Sequence, residues 1–170
     1  DKIVNNKNFE IVVPLYSRLM AKGAGENVKG IFGSTNWHWS LQDRDDASKA
    51  FVRSFGAKYG FPPSQAAHTV YCQTLLYADA CNRAGTFNPC GVGEALEGFE
   101  FDGLGNGKTL YRAEDHQCFK DVLVVKGKEN PTDENDLLEI VEVTPAAQVT
   151  YAPDHPMFAG GDLGACNPGA

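Results

Sequence analysis

TLYRAEDHQCFKDVLVVKGK, residues 109–128, decides the fold, because it runs from a glycine-rich turn into an alternating strand through one polar corner. The preceding FEFDGLGNGK, residues 99–108, carries apolar side chains at Phe99 and Phe101 and then a run of Asp, Asn and Gly that readily adopts turn conformations. A β-hairpin is predicted there. The corner itself, Asp115, His116 and Gln117, sets a carboxylate beside an imidazole and so raises metal or acid–base chemistry. Adjacent residues of an extended segment face opposite sides, so neither can readily serve the other. A structural corner, with Asp115 capping backbone N–H groups, is the better reading.

Upstream, residues 9–13 read as a short buried strand stopped by Pro14, which cannot donate to a central ladder. Leu15, Leu19 and Met20 then follow a helical spacing that ends at Gly23, and residues 28–32 read as the next strand. Strand followed by helix is the start of an α/β unit. From Asp45 the pattern is helical, with Ala47, Phe51, Phe55 and Tyr59 at intervals of four and Gly60, Pro62 and Pro63 as the stop. A second helix starts near Ser64, a plausible N-cap, and shows Ala67, Tyr71, Leu75, Ala78 and Asn82 on one side before Gly85. Both stripes are expected to face a core. Residues 89–96 allow a short third helix, residues 137–143 a further strand, and the Pro- and Gly-rich stretch from Thr144 no long element. One folded unit over residues 1–143 and an extended tail over 144–170 are expected.

The chain has 42% hydrophobic and 22% charged residues and a formal charge of −7. No apolar run approaches the ~20 residues that span a bilayer. Scattered Lys and Arg with a net negative charge make nucleic acid a poor partner, since phosphate binding needs clustered bases. The five cysteines, Cys72, Cys81, Cys90, Cys118 and Cys166, lack the spacing of a zinc site, and no cofactor motif is present. Disulfides are the better expectation in an oxidising compartment, and Cys166, in a stretch without regular pattern, is the strongest candidate for one. GLGNG at 103–107 resembles a phosphate loop only superficially, because a strand rather than a helix follows it. The acidic Asp43, Asp45 and Asp46 lack the Gly and terminal Glu of a calcium loop.

Three segments in order carry a family resemblance: NVKGIFGSTNWHWS at 27–40, the helical pair at 47–87 with its YG-x-x-P break and AG stop, and the hairpin with its DHQ corner. Together they resemble the C-terminal part of extracytoplasmic solute-binding proteins of ABC transporters, the branched-chain amino acid and amide group with the type I periplasmic-binding-protein fold. The resemblance implies an α/β lobe with a parallel sheet flanked by helices, a β-hairpin and an irregular tail. It also implies an exported, periplasmic, non-enzymatic protein that captures a small polar organic ligand and is recognised by a membrane permease. Such proteins have two lobes, so an N-terminal lobe is expected to be missing from this chain. A ligand-sensing receptor of the same fold, or an accessory subunit of a larger assembly, stays open.

Candidate ligand contacts lie after the second strand. In STNWHWS, residues 34–40, Trp37 offers a flat apolar wall and Ser34 and Asn36 offer directional hydrogen bonds, at the strand end where open α/β sheets usually bind ligands. Packing is the competing explanation, and His38 is the weaker candidate. The resemblance adds Tyr16, whose hydroxyl can bond a polar head group.

Overall fold

The computed structural model describes residues 10–102, 105–157 and 166. Strand β1, Val12–Val13, leads through a turn into helix α1, Arg18–Ala24, whose N-cap Ser17 accepts the Met20 amide. A 3₁₀ turn, Gly25–Val28, precedes strand β2, Phe32–Thr35, and a second, Trp39–Arg44, precedes helix α2, Asp46–Tyr59. Helix α3, Gln65–Ala84, and helix α4, Pro89–Leu96, follow. The hairpin is β3, Glu100–Asp102, with β4, Lys108–Leu110. Strands β5, Val122–Gly127, and β6, Leu138–Thr144, and the single turn α5, Ala146–Val149, complete the described order.

The helix ends are where local chemistry puts them. Asp45 accepts the Ser48 N–H at 2.7 Å, Ser64 the Ala67 N–H at 3.3 Å and Asn88 the Cys90 N–H at 2.9 Å, so α2, α3 and α4 each start on a side-chain cap. Gly60 and Gly85 close α2 and α3 in the left-handed conformation.

The main sheet has the order β1-β2-β5-β6 and is mixed, which corrects the expected parallel sheet. Of its pairs, β1 with β2 is parallel, whereas β2 with β5 and β5 with β6 are antiparallel. A half-buried strand alternates identically in either arrangement, so the pattern could not separate them. The β3–β4 hairpin forms its own two-stranded sheet, as predicted.

Residues 28–32 are not one strand. Val28 lies in the first 3₁₀ turn, fully buried, and a Cβ on Gly127 would come 1.7 Å from its carbonyl oxygen. The burial of Val28 comes from this wedge against β5. Of the strand expected at 9–13, Phe9 lies outside the described residues. Leu15 falls before α1 and, with Leu19 and Met20, is exposed.

The core gathers Tyr16, Trp37, Leu41, Phe51 and Val52 against Leu123, Val125 and Leu138 of the sheet. On α2, Phe51 is buried as expected, whereas Ala47 and Tyr59 are exposed. On α3 the buried residues are His68, Cys72, Ala80 and Cys81, one position round from the expected stripe, and Tyr71, Leu75, Ala78 and Asn82 are exposed. This helix is apolar on both sides, so periodicity alone could not choose between them. After Thr144 the described chain holds only the short α5; the expected tail continues beyond the described residues, except that Cys166 is bonded to Cys90. Cys72, Cys81 and Cys118 are reduced. Among the described residues no helix is long and apolar enough to cross a membrane.

Candidate functional site

Strand β2 ends at Thr35, and the next residue, Asn36, lines a cavity of about 440 Å³ between the carboxyl end of the strand, α3 and the segment entering β5. Its amide Nδ2 donates to Thr69 Oγ1 of α3 at 3.5 Å, while its buried Oδ1 has no partner among the described residues. Thr69 and Gln73, one helical turn apart, give α3 a polar edge there, and Tyr111, Lys120 and Asp121 face them. Leu76, Phe101 and Phe119 supply apolar wall. Lys120 sets its ammonium 5.9 Å from the Phe101 ring centre and makes no ion pair among the described residues. Two thiols, Cys72 and Cys118, line the same cavity; burial pushes both up, and the nearby Lys120 charge opposes that shift.

The glycine-rich turn holds this wall. Asn106, 1% exposed, donates from Nδ2 to the carbonyl of Asn36 and, at 3.4 Å, to that of Asp121. One amide thus joins the end of β2 to the start of β5. Gly105 beside it has φ +83° and packs so that a Cβ would meet Ser48 Oγ at 3.0 Å and the Leu41 carbonyl at 3.1 Å. Arg44 fixes the Gly105 carbonyl at 3.0 Å. Gly103 and Leu104 of the run lie outside the described residues.

The DHQ corner supports the opposite wall. Asp115 accepts the Gln117 N–H at 3.1 Å and takes both ends of the Arg112 guanidinium fork, Nε at 2.8 Å. Arg112 N–H returns to the Gln117 carbonyl at 2.9 Å, and Tyr111 bridges to Cys118, closing a loop whose base lines the cavity. The Arg112 hydrogen bond, chiefly, holds the Asp115 carboxyl below its usual range. His116 takes φ 54° and reaches Glu97 Oε1 at 2.9 Å, away from Asp115. The corner is therefore architecture, as its sequence suggested.

Of the four predicted contacts, only Asn36 lines the cavity. Tyr16 is core, packed over Gly33, where a Cβ would come 2.4 Å from the tyrosine Cβ. Ser34 spends its hydroxyl on the Pro14 carbonyl. Trp37 turns inward and stacks on His68 with ring centres 4.3 Å apart and planes 8° from parallel. His38 is also buried, and its Nδ1 accepts the Ser40 N–H at 3.3 Å. Burial, with lesser contributions from Lys128 and Arg18 opposed by Asp136, lowers its pKa to about 4, so it is neutral near pH 7.

The cavity offers a cation, a carboxylate, amide and hydroxyl groups and aromatic wall, which suits a small organic molecule with a polar head and an apolar body. Sequence reading missed Lys120, Thr69 and Gln73. Polar residues four apart on one edge of α3, and a Lys-Asp pair opening an alternating strand, were the available signals. Among the described residues no three His, Cys, Asp or Glu side chains are grouped as for a metal ion.

Residues 4–133 match the periplasmic binding protein family, and the chain belongs to it. A branched-chain amino acid ABC transporter periplasmic ligand-binding protein from Burkholderia xenovorans superposes with a TM-score of 0.73 at 22% identity, covering 86% of this chain and 40% of that one. A periplasmic binding protein from Burkholderia mallei gives 0.72 at 22% identity, over 88% of this chain and 40% of its own. A solute-binding protein of an R. palustris ABC transporter, in complex with benzoate, gives 0.67 at 19% identity, over 83% and 38%. These likenesses establish the shared fold. The chain spans about 40% of the length of the structures it matches. No curated protein sequence matches closely enough to count as a relative.

Proposed function

We propose that this chain is part of the solute-binding component of an ABC importer, working outside the cytoplasm and delivering its ligand to a membrane permease without chemical change. The ligand is a small polar organic solute: a branched-chain or other amino acid, an amide or urea, with a small aromatic acid as an extension suggested by the benzoate complex of one structural neighbour. The observation that carries the reading is the unsatisfied Asn36 Oδ1 at the carboxyl end of β2, in a cavity of ligand size that Lys120 also lines. A buried acceptor without a donor costs about 1–3 kcal/mol, which a ligand N–H or O–H offsets. Ser34, Tyr16 and Trp37 serve this site by shaping the strand end behind Asn36.

Binding proteins of this family close two lobes over the ligand, so a chain supplying some of the contacts binds weakly; a dissociation constant of about 1 mM corresponds to only about −4 kcal/mol. The test uses the cavity thiol as reporter. Leucine, glutamine, acetamide, urea and benzoate are added separately at tens of millimolar, on the order of that weak constant, and alkylation of Cys118 is followed by peptide mass spectrometry. One of them is expected to slow alkylation in the native chain and not in Asn36→Ala. Equal rates with and without all five would defeat the reading.

A further inference from the structure

Cys72 and Cys118 line the ligand-sized cavity from two different walls, Cys72 on α3 and Cys118 on the segment that leads into β5. Both are reduced, while Cys90 and Cys166 are joined, so the chain carries one oxidised pair and a second pair of thiols facing a common space. The two thiols differ in access: Cys118 is half-buried, whereas Cys72 is 7% exposed. The remaining thiol is set apart. Cys81 follows Cys72 on the same helix by about two and a half turns, which turns it to the opposite side of α3, where it clusters with Ala80 and Val92. A proton acceptor and a cation stand beside the cavity pair. His68, one turn before Cys72, sets Nε2 3.4 Å from its Sγ. Lys120 lines the same cavity, and its charge favours the thiolate of either cysteine against the burial that opposes it.

We propose that Cys72 and Cys118 form a thiol–disulfide switch on this cavity, oxidised by a small-molecule disulfide and closing the space between α3 and the entry to β5 when bonded. The more accessible Cys118 thiolate attacks one sulfur of the small disulfide, forms a mixed disulfide and expels the first small thiolate. Cys72, its proton taken by His68 Nε2, then attacks the Cys118 sulfur, forms the internal bond and expels the second. Two protein thiols are oxidised, one small disulfide is reduced to two thiols, and the two protons end on those thiols. A disulfide holds its two Cα atoms within about 7 Å of each other, too close for a solute to lie between. The effect on solute capture rests on the ligand reading above; formation of the bond and closure of the cavity do not.

The 170-residue chain is treated with hydroxyethyl disulfide, a small neutral oxidant, and digested without reduction. The expected product has lost two hydrogens in intact mass and yields a linked peptide pair whose fragmentation places the bond between Cys72 and Cys118, with the Cys90–Cys166 bond unchanged. Acetylation of Lys120, followed by peptide mass spectrometry, is expected to slow in the bonded chain and to recover when dithiothreitol reduces it. Cys72→Ala is expected to stop at the mixed disulfide on Cys118. A mixed disulfide that persists in the native chain, a bond from Cys118 to Cys81, no reaction at either cavity thiol, or Lys120 acetylation that the bond leaves unchanged each overturn the proposal. None of these readouts uses a solute, so failure of the ligand reading leaves them untouched.

Discussion

The side-chain amide of Asn106 donates to the main-chain carbonyl of Asn36, seventy residues away in sequence, and so ties the hairpin turn to the end of a sheet strand. Asn106→Leu removes both donations from Nδ2 and leaves the carbonyls of Asn36 and Asp121 without that partner. A loss of about 2–6 kcal/mol is expected, at 1–3 kcal/mol for each of the two unsatisfied buried groups. Urea unfolding measures it, and faster Cys118 alkylation is the sign that the cavity wall has loosened. Unchanged stability would mean that the tie contributes nothing.

Gly33→Ala should be more damaging. Its Cβ would sit 2.4 Å from Tyr16 Cβ and 2.6 Å from the Val13 carbonyl, so β1 and the Tyr16 ring must both move. Overpacking of this kind costs about 1–3 kcal/mol or more. Loss of the cooperative thermal transition, or a fall in its midpoint of several degrees, is the expected result in circular dichroism.

His38 makes stability pH-dependent in a defined window. Its folded pKa, about 4, lies below its ordinary 6.5, so between those values the unfolded chain binds the proton first. Its contribution is whole above about pH 6.5 and falls by about 2 kcal/mol between pH 7.5 and pH 5. His38→Asn, which keeps an acceptor for the Ser40 amide, should flatten that slope in urea unfolding at the two pH values. A slope that survives the substitution assigns it elsewhere.

Asp115 titrates in the same direction but lower. Its folded pKa is depressed by Arg112, so its stabilisation is present above the ordinary carboxylate value and is lost as pH falls through the depressed one. Asp115→Asn, tested near neutral pH, breaks the charged fork and should free the loop from 112 to 117. Faster hydrogen exchange at the Gln117 amide, with the main sheet unaffected, is the expected pattern.

Breaking the bond between Cys90 and Cys166 releases a closure spanning 76 residues. Chain-entropy arithmetic sets its contribution at no more than about 4.5 kcal/mol. Cys90→Ala should lower the urea midpoint within that bound without changing the far-ultraviolet spectrum.

Element identity was legible where side chains signal locally. The helix start at Asp45, the cap at Ser64, the stops at Gly60 and Gly85 and the β3–β4 hairpin all follow from nearest-neighbour chemistry. Strand direction was not, because alternation is blind to it. The α3 face was misread because Tyr71 and Leu75 are as apolar as Cys72 and Leu76, and only the packing of α4 and of Trp37 and Phe51 decides which set is covered. Asn36, singled out by its place after a strand, lines the cavity. Trp37 was expected at the cleft because indoles suit binding walls, but they suit cores equally, and its stacking on His68 took it inward. Lys120 and Asn106 went unnoticed because their roles exist only once distant segments meet.

The anchorage of the glycine-rich turn limits where this protein can bend. With Arg44 gripping Gly105 on one flank and Asn106 bridging two carbonyls on the other, this part of the turn is fastened to the end of β2 and the start of β5 at once. A substitution that loosens either tie is thus felt at both strand ends together.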